Sequence, residues 1–189
     1  GHSNTTDYSS PTQVGSLTNW QNTDKTGGAK WSRASVKSDG TLWTWGNNGS
    51  GELGLGDTTN RSSPVQVGSL TDWDNATVWS GVMGAVKTDG TLWAWGEGGF
   101  GRLGLGDTTS RSSPTQVGSL TDWAMVDVSY RQMMMLKTDG TLWACGYNGY
   151  GQLGDGTTTN RSSPVQMGSA TNWIAFETAV YSARAIASV

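Results

Sequence analysis

The sequence has very few of the residues on which most enzyme chemistry depends. Among its 189 residues there is one cysteine, Cys145, and one histidine, His2. A single cysteine allows neither an intrachain disulfide nor a cysteine-based metal site. A single histidine near the chain end offers no catalytic triad and no histidine metal cluster. We therefore expect no catalytic residues, no metal site and no cofactor, and we expect that the protein is not an enzyme.

Charge and long apolar runs are scarce as well. Charged residues make up 14% of the chain, the formal net charge is -3 and the pI is about 5.0. No basic face is available to follow a phosphate backbone, so the composition argues against nucleic-acid binding. The longest apolar runs, such as Met133–Leu136, are far too short to cross a bilayer. We expect no membrane insertion.

What the sequence does contain is a repeat rich in glycine and tryptophan, with 28 Gly and 11 Trp. The signature Thr-Asp-Trp or Thr-Asn-Trp ends at Trp20, Trp73, Trp123 and Trp173, at spacings of 53, 50 and 50 residues. Residues 38–73 and 88–123 differ at only 8 of 36 positions. A fixed period of this length predicts units that bury their faces against their neighbours.

Each period predicts four short strands, which we call A to D. Strand A follows the signature tryptophan, as at Ala124–Val128, and strand B precedes a turn, as at Gly84–Lys87. The Asp-Gly pair within Thr88–Gly90 tolerates the positive φ angles of a tight hairpin. Strand C is Thr91–Trp95, whose alternation places its two tryptophans on one face. Strand D, Thr115–Val117, follows Pro114, as suits an edge strand. The chain is predicted to be all-β.

These units resemble the repeat of the regulator of chromosome condensation family. The first copy reads SDGTLWTWG, NNGSGELGLGD and SPVQV, and the last reads TDGTLWACG, YNGYGQLGDG and SPVQM. The resemblance covers residues 8–189 and implies a β-propeller of four-stranded antiparallel blades, of which seven usually close a ring. The family includes small-GTPase exchange factors, chromatin binders, ubiquitin-ligase scaffolds and enzyme inhibitors, so the fold does not settle the function.

The repeat count implies about half of such a ring. We expect a disordered tail or tag remnant at 1–7, a strand D at 11–14, blades at 20–67, 73–117 and 123–167, and a partial blade at 173–189. Open blade faces are avoided in isolated soluble proteins. Two chains can share one ring, one chain can close as a small four-bladed ring, or the sequence can be part of a longer propeller.

We favour self-association into a homodimer or higher cyclic oligomer, because it hides both open faces at once. The residues predicted to form the seam between copies are Pro11, Thr12, Gln13, Val14, Ile174, Phe176, Val180 and Ile186.

The glycine-rich loop after strand C superficially resembles a phosphate cradle or a calcium-binding repeat. No helix follows Gly51–Asp57 or Gly101–Asp107, and the third copy has Asp155 and Thr157 where the second has Leu105 and Asp107. We interpret the aspartates as Asx-type hydrogen-bond acceptors that hold a tight loop. Cys145 replaces a strand-C tryptophan and is interpreted as a small buried hydrophobe, not a nucleophile. The other strand-C tryptophans are interpreted as core between blades and not as a sugar platform; they are Trp43, Trp45, Trp93, Trp95 and Trp143.

Differences among the copies concentrate in the A–B connection and in the loop after strand C. Loops gather on the rims of a propeller and carry typical binding residues. The predicted rim-binding residues are Trp31, Arg33, Trp79, Phe100, Arg102, Tyr130, Arg131, Tyr147 and Tyr150. We expect a non-enzymatic binding or assembly module with a protein or glycan ligand. The alternatives are a structural or lectin-like component of a microbial or viral surface and a small-GTPase exchange factor. The polar, lysine-poor repeats favour an extracellular, virion-surface or cell-surface setting.

Overall fold

The computed structural model describes residues 13, 18–20, 31–178 and 183–188, and these contain thirteen strands and one 3-10 turn, Gly99–Gly101. The strands are β1 (Ser32–Val36), β2 (Leu42–Gly46), β3 (Arg61–Gln66), β4 (Trp73–Trp79), β5 (Val82–Lys87), β6 (Leu92–Gly96), β7 (Arg111–Gln116), β8 (Trp123–Val128), β9 (Gln132–Lys137), β10 (Leu142–Gly146), β11 (Arg161–Gln166), β12 (Trp173–Thr178) and β13 (Ala183–Ala187). No helix in these residues is long and apolar enough to cross a membrane.

The strands form antiparallel sheets in which neighbours in sequence are neighbours in space. Strands β4–β7 form blade 2 and strands β8–β11 form blade 3, each a four-stranded sheet. Blade 1 contains β1–β3, and Trp20 bridges Lys37 at the place where strand A runs in the other blades. Strands β12 and β13 form a two-stranded partial blade. The predicted all-β fold of four-stranded antiparallel blades is confirmed. Of the predicted strand at 11–14, only Gln13 lies among the described residues.

The Asp-Gly hairpin between the second and third strands of each blade forms as expected. Gly90 has a φ of +78°, and a Cβ there would lie 2.1 Å from the carbonyl oxygen of Thr121, so only glycine fits. The Asp89 carboxylate accepts hydrogen bonds from the Thr91 hydroxyl (2.7 Å) and the Thr91 amide (2.9 Å), which lower the pKa of Asp89. The Thr91 hydroxyl in turn accepts from the indole of Trp93 at 2.9 Å. A local turn thus orients a tryptophan of the next strand.

The fourth strand of each blade begins earlier than predicted. The predicted strand D is Thr115–Val117 and follows Pro114, whereas β7 begins at Arg111 and contains Pro114 in its interior. The reason is an irregular register, because Ala94 pairs with Thr115 but Gly96 pairs with Arg111. The residues in between leave the ladder, so the missing amide of proline breaks no hydrogen bond on this edge strand.

Apolar cores lie between successive blades rather than inside any one blade. Leu42 and Val36 of blade 1 meet Trp95 and Met83 of blade 2, and equivalent clusters join blade 2 to blade 3 and blade 3 to the partial blade. The signature Trp73 packs edge-on against Trp93 at 6.0 Å. Trp95 is fully buried, and Trp43, Trp45, Trp93 and Trp143 are half-buried. The interpretation of the strand-C tryptophans as core between blades is confirmed for Trp95, which belongs to such a cluster, and for Trp93 and Trp143, which pack against one. For Trp43 and Trp45 it stays a prediction.

A buried lysine recurs at the end of the second strand in each blade. The Lys87 ammonium lies 4.5 Å from the ring centroid of Trp93 and 3.4 Å from a carboxylate oxygen of Asp72. Lys137 has the same partners in blade 3, Trp143 and Asp122. A buried charge is tolerated only when it is paired, so this lysine is a structural element of the blade. The recurrence of this lysine at the same position in each copy is the sequence signal from which its structural role could be predicted.

Candidate functional site

Three loops meet on one rim at the junction of blades 2 and 3. They are the loop after β6, the short β8–β9 connection and the loop after β10. In an antiparallel meander the first and third connections emerge at the same end of the sheet, and the Asp-Gly hairpins emerge at the opposite end. Loops placed in this way on a rigid sheet are common sites of recognition.

Five side chains from these loops form one contiguous group, the aromatic–arginine cluster, which comprises Phe100, Tyr130, Arg131, Tyr147 and Tyr150. The rings of Phe100 and Tyr147 meet edge-on at 5.2 Å, and Tyr147 meets Tyr150 at 6.0 Å. The guanidinium carbon of Arg131 lies 5.1, 5.0 and 5.4 Å from the ring centroids of Phe100, Tyr130 and Tyr147. Phe100 and Tyr130 are each 38% exposed and Tyr150 is 81% exposed. Five of the nine predicted rim residues are therefore brought together.

Phe100 has an unusual backbone conformation, with φ of 63° and ψ of 8°. This left-handed region costs an L-residue other than glycine about 1–2 kcal/mol. The equivalent residues of the other two loops, Ser50 and Tyr150, have no positive φ. Strained residues persist where the surroundings determine them, and they often mark functional sites.

The loop of blade 2 differs because it lacks an asparagine that organises the other two. In blades 1 and 3, Asn48 and Asn148 are fully buried, and each accepts a hydrogen bond from the Leu53 or Leu153 amide at 2.9 Å. Blade 2 has Gly98 at this position, and a Cβ there would lie 2.3 Å from the carbonyl oxygen of Thr109. The backbone at Thr109 therefore packs closely against Gly98, and the 3-10 turn that carries Phe100 begins at the next residue.

Arg102 is buried beneath the cluster and does not contribute to its exposed surface. It is only 3% exposed, and burial lowers its pKa. Its guanidinium donates to the Tyr130 carbonyl at 2.8 Å and to the Gly99 carbonyl at 2.9 Å, and it pairs with Glu97 at 3.2 Å. The prediction that Arg102 contacts a ligand on the rim is therefore corrected, because Gly99, Glu97 and Tyr130 occupy its donors, and the bond to the Tyr130 carbonyl ties blade 2 to blade 3.

The remaining three predicted rim residues lie elsewhere. Trp79 is half-buried against the core between blades 2 and 3. Arg33 is exposed on β1, at the position where Met83 and Met133 fill the cores between blades. Trp31 is 66% exposed on the same rim as the cluster, one junction away.

Trp31 borders a polar hollow of about 180 Å³ at the junction of blades 1 and 2. Two carboxylates line it, Glu52 and Glu97, together with Ser50 and Asn47. Glu52 is buried and accepts hydrogen bonds from the Ser50 amide at 2.8 Å and from the Asn47 side chain. Glu52 stands where blade 2 has Arg102, so equivalent junctions carry opposite charges.

The residues predicted for the seam lie on different faces of the partial blade. Ile186 is 60% exposed and Ile174 is also exposed. Phe176 packs against the core of blade 3, with Met134 and Leu136, and therefore faces away from an open seam. An irregularity in the register between Trp173 and Ala175 interrupts the regular alternation of side chains along this strand. Pro11, Thr12, Val14 and Val180 lie outside the described residues, and Gln13 is exposed.

The aspartates of the glycine-rich loops act as hydrogen-bond acceptors, as interpreted. Asp57 and Asp107 accept from the Thr59 and Thr109 amides at 2.9 and 2.8 Å, and both carboxylates pair with an arginine at 2.7 Å. In blade 3 Asp155 accepts from Arg161 at 2.7 Å, although it stands two residues earlier in the loop, where blade 2 has Leu105. Among the described residues, no group of three or more His, Cys, Asp or Glu side chains could hold a metal ion.

Cys145 lies in the core between blades 2 and 3 and is fully buried. Burial raises the pKa of its thiol to about 12, and its Sγ lies 3.6 Å from the Arg102 carbonyl oxygen. A thiol without access to solvent or to its thiolate form is unreactive. The interpretation of Cys145 as a small buried hydrophobe is confirmed.

Known structures resemble this arrangement over most of the chain. Human WBSCR16 matches with a TM-score of 0.73 and 19% identity over 84% of this chain and 43% of its own. Prp20p from Saccharomyces cerevisiae, a protein with binding properties toward Gsp1p and histones, matches with a TM-score of 0.74 and 13% identity over 86% of this chain and 43% of its own. The chain thus spans less than half the length of these structures. At such low identity the likeness shows the fold, which is that of a β-propeller.

The sequence itself matches a family profile more directly. A comparison with curated proteins found no match. The profile of the regulator of chromosome condensation (RCC1) repeat matches residues 39–78, 89–135 and 139–180, one segment for each successive period of the chain. These segments cover more than half of the sequence and contain the Asp-Gly hairpins, the strand-C tryptophans and the glycine-rich loops described above. The chain belongs to the regulator of chromosome condensation (RCC1) repeat family.

Proposed function

We propose that this chain is a non-enzymatic protein-binding module that recognises its partner through the aromatic–arginine cluster. The observation that carries the proposal is the exposure of Phe100, Tyr130 and Tyr150 around Arg131 on a single rim. Aromatic and arginine side chains dominate the energetics of protein interfaces. The described residues offer no comparable grouping of acid, base and nucleophile.

The cluster is also pre-organised for binding. Arg102 holds the loop of blade 2 against the β8–β9 connection through the Tyr130 carbonyl, and Phe100 is held in its left-handed conformation. Groups that are already ordered lose little conformational entropy on association, so more of the contact energy contributes to affinity. The strain at Phe100 supports a role in recognition. The equivalent residues Ser50 and Tyr150 have no positive φ, so the blade itself does not require this conformation.

A selection experiment tests the proposal. Short random peptides displayed on phage are selected against the wild-type protein, and the affinities of the selected peptides are measured for Tyr150→Ser and Phe100→Gly. Tyr150→Ser introduces the residue that blade 1 has at this position, and glycine accepts the φ of Phe100. We expect each change to weaken binding at least about tenfold.

Trp31→Gly is the matched control, because it removes an exposed tryptophan from the same rim and introduces the residue found at Gly81 in blade 2. It should leave the affinities unchanged. The proposal fails if the selected peptides bind the cluster variants as tightly as the wild type but bind Trp31→Gly more weakly. That result would place recognition at the junction of blades 1 and 2.

A second candidate function, self-association, is favoured by the exposure of Ile186. The residues at the same position in the other blades, Val36, Val86 and Leu136, are buried against the blade that follows. A second copy that docks on the partial blade would bury Ile186 in the same way. The predicted species is a homodimer or cyclic oligomer.

Light scattering coupled to size exclusion tests this second candidate. A species near twice 20.0 kDa, reduced to a monomer by Ile186→Asp but not by Leu120→Asp, would support it. Leu120 is an exposed leucine away from the partial blade, so it controls for added charge. A wild-type monomer at every concentration would refute self-association.

The two remaining alternatives have direct assays. Specific signals on a glycan array, abolished by cluster variants, would favour a lectin-like surface component over protein binding. Acceleration of nucleotide release from a small GTPase would favour an exchange factor, and no acceleration would remove that alternative.

A further inference from the structure

Arg131 differs from Arg102 in having no carboxylate partner among the residues that the structure describes. Among the described residues, no carboxylate and no carbonyl accepts a hydrogen bond from its side chain, and its neighbours are the rings of Phe100, Tyr130 and Tyr147. Glu97, the nearby carboxylate, is engaged by Arg102 at 3.2 Å. A guanidinium carries five N–H donors in a planar fork, and in Arg131 these donors remain available to a ligand.

We propose that Arg131 binds a carboxylate of an acidic peptide segment, while the surrounding rings contact apolar side chains beside that carboxylate. The inference rests on the proposed function, because it names the chemistry of the partner that the cluster recognises. Arginine pairs with a carboxylate through two parallel hydrogen bonds. Neighbouring aromatic rings exclude water from the guanidinium, and such charge-assisted bonds strengthen as the local dielectric falls.

The local charges support an anionic ligand. The cluster region carries Arg102, Arg131 and Glu97, and the ion pair of Glu97 with Arg102 leaves the charge of Arg131 uncompensated. The guanidinium carbons of Arg102 and Arg131 both lie near the Phe100 ring, at 5.7 and 5.1 Å from its centroid. Burial first, and then the charge of Arg131, lower the pKa of Arg102. A ligand carboxylate would relieve this repulsion. The protein as a whole carries a net charge of -3, so this positive spot is local.

The junction of blades 1 and 2 lacks the features that would bind a carboxylate. The residues equivalent to Arg131 are Gly81 and Trp31, neither of which is charged. The hollow beside Trp31 is lined by the carboxylates of Glu52 and Glu97. Arg102 engages Glu97, but Glu52 forms no ion pair among the described residues, so its charge would repel an acidic segment there and favour the junction of blades 2 and 3.

A peptide ligand fits better than a nucleic acid. Proteins that follow a phosphate backbone usually neutralise several phosphates with separate cations. Here a single uncompensated arginine stands among exposed aromatic rings, which matches one or two carboxylates flanked by apolar groups.

A double-mutant cycle tests the pairing. The peptides selected on the wild-type protein are synthesised with their acidic residues intact and with each Glu or Asp replaced by Gln or Asn. Both forms are titrated against the wild type, Arg131→Gln and Arg131→Lys, with Arg33→Gln as a charge-matched control. We expect neutralising one acidic residue to weaken binding to the wild type roughly 10- to 100-fold, and to have little further effect on Arg131→Gln.

Arg131→Lys should restore only part of the affinity, because an ammonium cannot make the two parallel bonds. Arg33→Gln should behave as the wild type. Independent, additive effects of the peptide and protein changes would overturn the inference, as would tighter Arg131-dependent binding of a single-stranded oligonucleotide than of the acidic peptides.

The two proposals fail in different ways. If Phe100→Gly and Tyr150→Ser weaken peptide binding while Arg131→Gln and the neutralised peptides do not, the cluster is a binding site but not one for carboxylates. If the selected peptides bind Phe100→Gly, Tyr150→Ser and Arg131→Gln as tightly as the wild type, the proposed function fails, and this inference fails with it.

Discussion

Trp95 donates its indole N–H to the backbone carbonyl of Glu52 in the preceding blade, at 3.0 Å. This bond joins two residues 43 positions apart and lies wholly within the buried junction of blades 1 and 2. At the next junction Cys145 occupies the equivalent place, and its Sγ lies 3.6 Å from the carbonyl of Arg102. The two junctions therefore use the same acceptor position with donors of different strength.

The bond from Trp95 predicts a specific loss of stability in Trp95→Phe. Removing the donor leaves a buried carbonyl without its partner, which costs about 1–3 kcal/mol of unfolding free energy. Trp93→Phe is the control on the same strand. The Trp93 indole is half-buried and donates to the Thr91 hydroxyl, which keeps its own hydrogen bond to Asp89 when the indole is removed, so this change should cost less. Urea unfolding followed by circular dichroism measures both. Equal losses of unfolding free energy in the two variants would show that the bond between blades contributes no more to stability than the bond within a blade.

The left-handed conformation of Phe100 predicts that glycine is tolerated at this position and that valine is not. Phe100→Gly relieves about 1 kcal/mol of backbone strain and loses an edge contact with Tyr147 of similar size, so stability should change by less than about 1 kcal/mol. Phe100→Val loses the same contact and keeps a β-branched residue at positive φ, which should destabilise the protein by about 1–3 kcal/mol. Equal stabilities of the two variants in urea would contradict the assigned conformation.

The burial of Cys145 predicts that its thiol is inert in the native protein. With no exposed surface and a thiol pKa of about 12, it should not react with a disulfide reagent at mildly alkaline pH. In concentrated guanidinium chloride the same thiol should react fully, since the unfolded chain exposes it. Colour release by the reagent measures both rates. Rapid reaction of the native protein with one thiol per chain would show that the core between blades 2 and 3 opens.

The carboxylate of Asp155 predicts a loss of stability in acid. Burial alone would raise its pKa, but hydrogen bonds from Arg161 and Thr157 lower it to about 2. Because the folded pKa lies below the ordinary value of 3.8, the ionised form stabilises the native state. That contribution is complete above pH 3.8 and is lost as the pH falls toward 2. The lowered pKa values of Asp89 and Asp139 act in the same direction.

Urea midpoints measured across this acidic range check the prediction. Asp155→Asn should start from a lower stability at neutral pH and fall less steeply than the wild type as acid is added. Parallel curves for the two proteins would show that the ion pair with Arg161 does not contribute.

Several features of the fold follow from short stretches of sequence. The Asp-Gly pair at Asp89 and Gly90 specifies the hairpin, because the backbone needs a positive φ and the Asp side chain bonds to the amide two residues on. The 50-residue spacing of Trp73, Trp123 and Trp173 likewise predicts blades that pack one on another. Both signals are local or periodic, and no knowledge of distant contacts is needed to interpret them.

The face on which a given side chain lies was harder to predict. Ile174 and Phe176 are separated by one residue and were assigned together to the seam, yet only Ile174 is exposed. The irregular register after Trp173 shifts the alternation of this strand. Arg102 was assigned to the rim by its position in a variable loop, but the Tyr130 carbonyl and Glu97 draw it into the junction. The Tyr130 carbonyl comes from another blade, and the sequence of the loop that carries Arg102 does not reveal this partner.

The sequence by itself determined the all-β fold, the four-stranded repeat, the hairpins and the set of variable loop positions, since these depend on glycine conformation, alternation and period. Only the tertiary structure decided that Phe100, Arg131 and Tyr147 meet in one cluster. Their contacts cross a junction between blades and join residues tens of positions apart. The physical reason is that packing of one blade on the next sets these distances, whereas each loop alone leaves its side chains free to point in many directions.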